Sequence, residues 1–535
     1  MKSLKLFVLA IACILSSSTI TKAQQPQAKV QMNAQKLGTT LYLIDNFYVD
    51  TANIDKVTED AIIAALKELD PHSAYISKKD VEKTNEPLVG SFEGIGVTFQ
   101  LIRDTITVIS PTAGGPSEKV GIMAGDQFIK IDGEEAFGKK IDNEYVQQHL
   151  RGKKGTKVTV SVKRGNSKEL IDFEIIRDKI PLNSINAAYM LGDHVGYIKL
   201  DRFAQESTKE FKDAFAKLQA QGMESLIFDL RGNTGGFLNT AIEMVDQFIN
   251  EDKLIVFTEG LRSPRQEWRS TAAGLYTSGK LVVLIDEGSA SASEILSGAV
   301  QDHDRGVVIG RRSFGKGLVQ RPFNLPDGAV IRLTTSRYHT PSGRCIQRPY
   351  EDGVEEYAKE MSKRLEHGEY FHADSIHFPD SLKYKTDGGR TVYGGGGIMP
   401  DIFIPVDTSY NSQLYTNLVR KGALNRFTTD YGLAHRDEIK AKYGDFDQFN
   451  ETFIVGDDLI KGLKQAAEEA KVEWNDEQFA RSEKFILLQI KALIARNVWE
   501  TQQYYQVMAS EDAGIKKALE ILRDEKAYKK LLKGK

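Results

Sequence analysis

The sequence predicts a multidomain α/β protein with a helical segment at each end. Three observations lead to this fold class. The chain of 535 residues is too long for one hydrophobic core, so two to four domains are expected. Residues 181–340 alternate short apolar runs with amphipathic stretches, a pattern typical of strands and helices that share a sheet. Helical periodicity dominates residues 28–85 and returns from residue 410 onward.

Composition and charge place the chain among ordinary globular proteins. Hydrophobic residues make up 41% of the sequence and charged residues 27%, which is typical of a soluble domain. The 71 lysines and arginines nearly balance the 74 aspartates and glutamates. The resulting net charge of -3 gives no reason to expect a nucleic-acid partner or an acidic membrane.

Residues 1–23 have the pattern of a secretory signal peptide. Lys2 and Lys5 form a short positive region, and the apolar run over 6–15 is too short to span a bilayer. Small residues follow, and Ala23 suits cleavage by signal peptidase. We therefore expect an exported protein of the periplasm or cell envelope. No later stretch is long and apolar enough to predict a membrane span.

The sequence contains two cysteines. Cys13 follows Ala10-Ile11-Ala12, a poor lipobox, so lipid anchoring is not expected. Once the signal is removed, Cys345 is the only cysteine and no intrachain disulfide can form. Beside Arg344 and Arg348 its thiol is either reactive or, as is more common for a lone cysteine, a small apolar residue.

Residues 28–85 are predicted to form a helical N-terminal region. Apolar residues recur at helical spacing in two stretches, and the second stretch ends at Asp70-Pro71, a stop signal. His72 follows without cysteines or acidic residues at metal-ligand spacing, so a loop hydrogen bond is expected for it.

Residues 88–178 are predicted to form a small domain of strands with two short helices. Gly94-Ile95-Gly96-Val97 opens a strand, residues 105–109 alternate like a second, and Asp132-Gly133 marks a tight turn. The second helix is predicted over 145–150.

The order of these elements resembles a PDZ domain. The resemblance implies that the loop Gly94-Ile95-Gly96-Val97 offers backbone N–H groups to the C-terminal carboxylate of a peptide, which adds as an edge strand. The alternative is that these glycines serve only a tight turn.

Residues 181–405 are predicted to form an α/β core that contains two strand–turn–helix units. In the first unit, the strand at 226–230 leads into Arg231-Gly232-Asn233-Thr234-Gly235-Gly236 and then a helix. In the second, the apolar run 281–285 leads through Gly288-Ser289-Ala290-Ser291-Ala292-Ser293-Glu294 into a helix that ends near residue 301.

The rest of the chain is less informative. Residues 351–393 are polar and rich in glycine and aspartate, so a surface insertion is expected there, followed by a flexible joint at Gly394–Gly397. Residues 410–535 are predicted to form a helical C-terminal region without a catalytic motif.

The serine-rich turn has two interpretations. Serines at a helix N-terminus lie beside free backbone N–H groups and the positive end of the helix dipole, so one could act as a nucleophile next to an oxyanion site. Ser291 and Glu294 also fit a capping box, which requires no chemistry. The Gly-x-Ser-x-Gly nucleophile elbow is absent.

A hydroxyl nucleophile needs a base, and Lys316 is the better candidate. His303 lies near the far end of the helix that follows Ser291, while His194 and His339 depend on unknown folding. Lys316 lies between two glycines after a buried strand, where desolvation favours a neutral amine. Ser–Lys pairs are an established form of this chemistry. Binding of a phosphate or carboxylate by the lysine explains the sequence about as well.

Several motifs in register resemble the carboxyl-terminal processing (tail-specific) proteases. Residues 288–295 resemble the nucleophile motif of that family. Ser313-Phe314-Gly315-Lys316-Gly317-x-Val319-Gln320 resembles its lysine motif, with Lys316 twenty-five residues after Ser291. Residues 229–236 resemble its oxyanion-side loop, with Thr234 where proline is commoner.

The resemblance extends to the domain order and to two closing motifs. These motifs are Thr340-Pro341-Ser342-Gly343-Arg344 and Gly397-Ile398-Met399-Pro400-Asp401. The similarity covers residues 35–405 and leaves out the insertion and the helical C-terminal region. It implies a crotonase/ClpP-like protease core with an inserted PDZ-like domain and a helical N-terminal arm.

The resemblance also implies a role for each site residue. Ser291 would be the nucleophile, Lys316 the general base, and Gln320 the residue that orients the amine. Glu294 would be a supporting polar group, unless it only places charge at the helix N-terminus. The backbone N–H groups of Gly232 and Ala292 would form the oxyanion hole. Ser289 and Ser293 are weaker nucleophile candidates, and no metal or cofactor is implied.

The expected function is a serine endopeptidase that cleaves exported proteins. The PDZ-like domain would recognise their free, apolar C-terminal tails, and a homo-oligomer or an adaptor protein is compatible with the sequence. The alternative is a non-catalytic periplasmic PDZ scaffold, which the presence of both Ser291 and Lys316 disfavours. A crotonase-like acyl-CoA enzyme shares such a core only by fold analogy, and the inserted domain argues against it.

Overall fold

The structure is a computed structural model that describes residues 28–138, 140–165 and 167–533. The predicted signal peptide, with Cys13, lies outside the described residues. The chain divides into two compact units. The first combines the N-terminal part through Lys78 with Arg321–Leu333, and the second holds the remainder.

The first unit contains helices and a short strand. Helix α1 covers residues 28–47. Helix α2 (Ile54–Lys67) has Asn53 as its N-cap residue, and the Asn53 side chain accepts from the Lys56 N–H. The region 28–85, predicted to be helical, also contains a strand that was not expected, because β1 (Ala74–Ile76) pairs antiparallel with residues 330–332. The Asp70 carboxylate accepts from the N–H groups of His72 and Ser73, and this turn redirects the chain from helix to strand.

The second unit begins with an antiparallel β domain. Its elements are α3 (Val81–Val89), β2 (Ser91–Gly94), β3 (Val97–Ile102), β4 (Thr105–Pro111), α4 (Pro116–Lys119), β5 (Gln127–Ile131), β6 (Glu134–Glu135), α5 (Asn143–Leu150), β7 (Lys157–Lys163), β8 (Leu170–Ile176) and β9 (Asp178–Pro181). The sheet order is β3-β4-β5-β7-β8, with β6 beside β5. The alternating valines of β7 are fully buried on one face of this sheet.

An α/β core follows the β domain. Its elements are β10 (Ile185–Met190), β11 (Val195–Leu200), α6 (Ser207–Ala220), β12 (Ser225–Asp229), α7 (Leu238–Asp246), β13 (Leu254–Gly260), β14 (Ser263–Arg269), β15 (Lys280–Ile285), α8 (Ala292–Asp302), β16 (Val307–Gly310), β17 (Leu318–Asn324) and β18 (Val330–His339). Strands β17 and β18 each have residues in both units. Strands β13 and β14 pair with each other, and β13 also pairs with residues 337–339 of β18.

The predicted insertion has its own secondary structure. It contains α9 (Val354–Glu366), 3-10 turns at Ala373–Ser375 and Asp380–Leu382, and the hairpin β19 (Lys383–Lys385) and β20 (Thr391–Tyr393). The glycines at 394–397 do not form the flexible joint that we expected. Gly394, Gly395 and Gly397 donate to backbone carbonyls, and a Cβ on Gly397 would lie 2.6 Å from the Ser313 carbonyl oxygen. The glycines therefore allow close backbone packing.

Strand β21 (Ile402–Phe403) leads into helices that complete the chain. They are α10 (Gln413–Arg420), α11 (Ala423–Ala434), α12 (Arg436–Tyr443), α13 (Phe446–Thr452), α14 (Asp457–Glu469), α15 (Asp476–Val498), α16 (Thr501–Ala509), α17 (Ala513–Arg523) and α18 (Glu525–Leu531). Helices α10 to α16 share a hydrophobic core of their own. No helix in the described ranges is both long and apolar enough to span a membrane.

The central sheet of the α/β core has the strand order β10-β11-β12-β15-β16-β21. All neighbouring pairs from β11 to β21 are parallel, and β10 is antiparallel at one edge. Apolar residues of α6, α7 and α8 cover one face, and residues of α17 and α18 cover the other. A parallel sheet buried on both faces explains why its strands read as continuous apolar runs.

Candidate active site

Three loops lie at one edge of the central sheet. Strands β12, β15 and β16 are parallel neighbours, so their carboxyl ends meet at the same edge. Each strand leads directly into a predicted motif, namely the glycine loop at 230–236, the serine turn at 286–291 and the lysine loop at 311–317. Open α/β sheets place their ligand sites at this edge.

Ser291 has a strained backbone. It occupies the N-cap position of α8 with φ of 55° and ψ of -111°, a conformation that a residue with a side chain rarely adopts. A capping box joins it to Glu294, whose carboxylate accepts from the Ser291 N–H, and the residue is partly exposed. The strained strand-to-helix turn is the position that a nucleophile elbow gives its serine, although the elbow sequence pattern is absent.

The neighbouring serines are structural. Ser289 and Ser293 are fully buried. Their hydroxyls donate at 2.8 Å to the carbonyl oxygens of Leu230 and Asn233 respectively. These bonds join the serine turn to the glycine loop, which leaves Ser291 as the exposed serine of the three.

The Glu294 carboxylate joins the serine turn to the lysine loop. One oxygen, Oε2, accepts from the backbone N–H of Ser291 at 2.8 Å and from that of Lys316 at 2.9 Å. The other oxygen, Oε1, accepts from the Ser313 hydroxyl at 2.5 Å and the Gly315 N–H at 2.6 Å. Burial raises the pKa of Glu294, and these four donors oppose the rise because they favour the charged form.

The lysine loop is fixed by its backbone. Besides the bonds to Glu294, the Phe314 N–H donates to the Ser289 carbonyl at 3.0 Å, and the Gly317 N–H donates to Gln347 Oε1 at 2.8 Å. The loop therefore bonds directly to the serine turn. It brings the backbones of Ser291 and Lys316 to one acceptor atom.

Gln320 lies in β17, and its side-chain amide donates to Thr334 Oγ1 at 3.1 Å. A role for Gln320 in orienting the Lys316 amine remains a prediction.

The two predicted oxyanion donors differ in their surroundings. Ala292 is the first residue of α8, where a helix N–H has no acceptor within the helix. The Gly232 N–H instead donates to Asp286 Oδ1 at 2.8 Å, so in this structure it already has an acceptor. Gly235 lies beside Ser291 itself, since a Cβ on it would lie 2.9 Å from the Ser291 Cβ and 3.0 Å from the Ala292 nitrogen.

Sequence reasoning missed Tyr338. Its side chain is fully buried in β18, and its hydroxyl donates to the Ser291 carbonyl oxygen at 3.1 Å. Burial raises its pKa well above the usual range, so the phenol stays neutral and can donate. No local pattern indicates this contact, because the two residues are 47 positions apart.

The other base and thiol candidates lie elsewhere. The ring nitrogens of His303 bond to Asp387 and to the Leu254 carbonyl oxygen. The ring of His339 stacks on Phe257. Burial raises the pKa of the Cys345 thiol, which favours the inert interpretation of this residue. In the ranges that the structure describes, no cluster of three or more His, Cys, Asp or Glu side chains could hold a metal ion.

The glycine-bracketed loop of the β domain is held through its carbonyl groups. The Ile95 carbonyl accepts from the Ser117 N–H and hydroxyl, and the Gly96 carbonyl accepts from the Thr112 N–H. Because N–H and C=O point in opposite directions across a trans peptide, the N–H groups of Gly96 and Val97 face away from this contact. Gly96 has φ of 72°, so this turn also needs a glycine.

Family models match three parts of the chain. Residues 194–356 match peptidase family S41, residues 94–175 match the PDZ domain, and residues 414–500 match a family of unknown function, DUF8443.

Individual relatives agree with these matches. A carboxy-terminal-processing protease of Bartonella bacilliformis is 33% identical over 351 residues, which cover 64% of this chain and 80% of that protein. A probable CtpA-like serine protease of Staphylococcus aureus is 35% identical over 318 residues, which cover 59% of this chain and 63% of that protein. Among solved structures, a photosystem II D1 C-terminal processing protease is 27% identical, covers 57% of this chain and 88% of its own, and has a TM-score of 0.33.

The fold and these matches define a serine-type peptidase with a PDZ domain. The chain belongs to peptidase family S41, the carboxy-terminal-processing proteases. The predicted α/β protease core with an inserted PDZ domain is therefore confirmed.

Proposed function

We propose that the protein is an endopeptidase with a Ser291–Lys316 dyad that cleaves exported proteins after binding their C-terminal tails. The observation that carries the dyad is the Glu294 carboxylate, whose Oε2 accepts from the backbone N–H of both residues. A glutamate that only capped helix α8 would not need to bond to the lysine loop. The additional bond to the Lys316 N–H therefore favours a catalytic pair over a simple capping box.

In the proposed reaction, the Lys316 amine accepts the proton of the Ser291 hydroxyl as the serine oxygen attacks the substrate carbonyl carbon. The Ala292 N–H, at the positive end of the α8 dipole, stabilises the resulting oxyanion together with a donor from the glycine loop. The lysine returns the proton to the leaving amine, and water then hydrolyses the acyl-enzyme by the same steps in reverse.

The PDZ domain would supply substrate selection. In its loop at Gly94-Ile95-Gly96-Val97 the carbonyls of Ile95 and Gly96 are bonded to Ser117 and Thr112, and the N–H groups on the opposite side would donate charge-assisted bonds to a terminal carboxylate. Export is proposed from the signal-like residues 1–23.

We expect Ser291→Ala and Lys316→Ala each to abolish cleavage of a protein with an apolar C-terminus, with products read by mass. Both variants should keep the unfolding transition of the wild type, because neither change removes the backbone bonds to Glu294.

Ser167→Ala and Lys529→Ala, at exposed positions, are the matched controls and should cleave normally. A metal chelator should leave the rate unchanged, since a Ser–Lys mechanism uses no metal. Cleavage by purified Ser291→Ala, or inhibition by the chelator that added metal reverses, would contradict the proposal.

A further inference from the structure

The insertion places a buried cation against the lysine loop. Arg364, in the last turn of α9, is only 2% exposed. Its Nη1 donates to the Ser313 carbonyl oxygen at 2.8 Å, and its Nη2 donates to the Phe314 carbonyl oxygen at 3.2 Å. Both carbonyls belong to the loop that carries Lys316, so a segment outside the family resemblance bonds to the proposed catalytic loop.

The peptide group between Phe314 and Gly315 is held from both sides. Its carbonyl oxygen accepts from Arg364, and its N–H donates to Glu294 at 2.6 Å. These two groups point in opposite directions across a trans peptide. Arg364 and Glu294 therefore fix the rotation of the peptide that directly precedes Gly315 and Lys316.

Arg364 is itself held in orientation by an ion-pair cluster. Its Nε bonds to Glu360 Oε1 at 2.6 Å, and Arg348 and Arg312 pair with the same carboxylate. Burial alone would raise the pKa of Glu360, but the three arginines hold it below the usual range, so the carboxylate stays charged.

A second contact joins the cluster to the same loop. Arg348 stacks over the rings of Phe314 and Tyr357, with its guanidinium carbon 4.1 Å and 3.8 Å from their centroids. Its backbone N–H donates to the Gly315 carbonyl at 3.0 Å. The cluster thus contacts the backbone of three consecutive loop residues, Ser313, Phe314 and Gly315.

We propose that α9 holds the lysine loop in its reactive position and that Arg364 is the positioning residue. Arg364 contacts the backbone before Lys316 and acts through it. Loss of its two bonds frees the peptide between Phe314 and Gly315 to rotate, which releases the Gly315 N–H from Glu294 and displaces the next residue, Lys316. This inference rests on the proposed Ser–Lys mechanism.

The test compares Arg364→Met and Arg364→Lys with the control Lys363→Met in the full chain. Lys363 is the neighbouring residue on α9, is half exposed and pairs with Glu356 on the surface. We expect Arg364→Met to lower kcat by about tenfold to a hundredfold, the loss that a displacement near 1 Å causes, with KM within about twofold. The acid limb of the pH profile of kcat should also move, because the surroundings of the Lys316 amine change.

Arg364→Lys should restore part of kcat, since an ammonium keeps the charge but lacks the planar fork that reaches two carbonyls. Lys363→Met should behave as wild type. An unchanged kcat and pH profile in both Arg364 variants would overturn the inference. The inference would also be overturned if kcat fell only in proportion to the folded fraction, as measured by thermal unfolding, while the pH profile of kcat stayed unchanged.

The same assay separates this inference from the proposed function. If Ser291→Ala retains activity, the dyad is wrong and the inference fails with it. If Ser291→Ala is inactive while both Arg364 variants keep full kcat, the dyad stands and only the positioning role is wrong.

Discussion

Glu294 occupies the third position of α8, where a carboxylate commonly bonds back to the N-cap residue. It makes that bond to the Ser291 N–H, and it also accepts three donors from the lysine loop. Each of the two carboxylate oxygens accepts from two donors, so both oxygens are needed to satisfy the four groups. A side chain that caps a helix therefore also holds the serine turn and the lysine loop together.

We expect Glu294→Gln to lower both stability and activity. The amide group places an NH₂ where an oxygen now accepts two donors, so at least one buried N–H or O–H loses its acceptor. The free energy of unfolding should fall by about 1–3 kcal/mol, the cost of an unsatisfied buried group. Chemical denaturation and kcat measure the two effects.

The control for this prediction is Glu355→Gln. Glu355 is an exposed carboxylate in the first turn of α9, a comparable helix position without the loop contacts. Its replacement should change neither quantity measurably. Equal stability of Glu294→Gln and wild type would show that the carboxylate is not needed to join the loops.

The candidate site residues that the sequence indicated are those whose signal is local. Ser291, Glu294 and Lys316 lie within short motifs that follow buried strands, so spacing along the chain was informative. The contributions of Tyr338 and Arg364 were not predictable. Each reaches the site from a distant segment, and a buried arginine in a polar helix looks like any solvated charge until its partners are known.

At the scale of elements, a charge cluster connects the glycine loop to the C-terminal helices. Asp229 ends β12 and is buried, with Arg231 and Lys199 beside it. Arg231 also pairs with Asp512, the N-cap of α17, at 2.8 Å. Arg231, which directly precedes Gly232, is thus paired with the end of β12 through Asp229 and with the start of α17 through Asp512.

We expect Arg231→Met to lower the free energy of unfolding by about 3 kcal/mol at neutral pH. This is the low end of the cost of breaking a buried ion pair, since the Arg231 side chain is 25% exposed. Arg269→Met is the control, because Arg269 and its partner Asp252 are both largely exposed and their pair contributes little.

The pH dependence of this cost follows from Asp229. Burial would raise the pKa of Asp229, but Arg231 and Lys199 hold it well below its ordinary value of 3.8. A lowered carboxyl pKa stabilises the fold above the unfolded value and loses that contribution as pH falls through the folded one. The difference between wild type and Arg231→Met should therefore shrink below pH 3.8. A difference that stays constant into acid would show that the ion pair is not its source.

The sequence predicted most elements of the core, because strand–turn–helix units have strong local signals. It did not predict where the C-terminal helices pack. Helical periodicity shows that a helix has an apolar face but does not show which surface covers that face. The structure pairs α17 and α18 with the second face of the central sheet. The short strand β1 was missed for a similar reason, since its pairing partner lies far along the chain.

At the scale of the whole molecule, the PDZ domain is inserted through a two-stranded ribbon. Strand β2 enters the domain and β9 leaves it. The two strands pair antiparallel, with Ser91 opposite Pro181 and Gly94 opposite Asp178. Two backbone bonds continue the contact below the ribbon, from Leu182 to Gly90 and from Gln205 to Leu88. The ribbon thus joins the PDZ domain to the start of the protease core by both of its connections.

We expect the full chain with Ser291→Ala to bind a peptide with a free, apolar C-terminus more tightly than the same peptide with a C-terminal amide. Amidation removes the charge that the loop N–H groups would meet, and charge-assisted bonds are about twice as strong as neutral ones. Fluorescence anisotropy measures binding, and the wild type measures cleavage of the same pair. Equal binding and cleavage of acid and amide would refute carboxylate recognition and leave the protease assignment in place.

Helices α17 and α18 cover one face of the central sheet, and this packing has a consequence for folding during synthesis. Chains grow from the N-terminus, so β11, β12 and β15 leave the ribosome well before the helices that shield Ile227, Val282 and Leu284. Until residues 513–531 emerge, this face of the sheet lacks part of its cover, and so do the strands that lead into the serine turn and the lysine loop. The proposed protease activity is therefore expected only after α17 and α18 have been synthesised and have packed on the sheet.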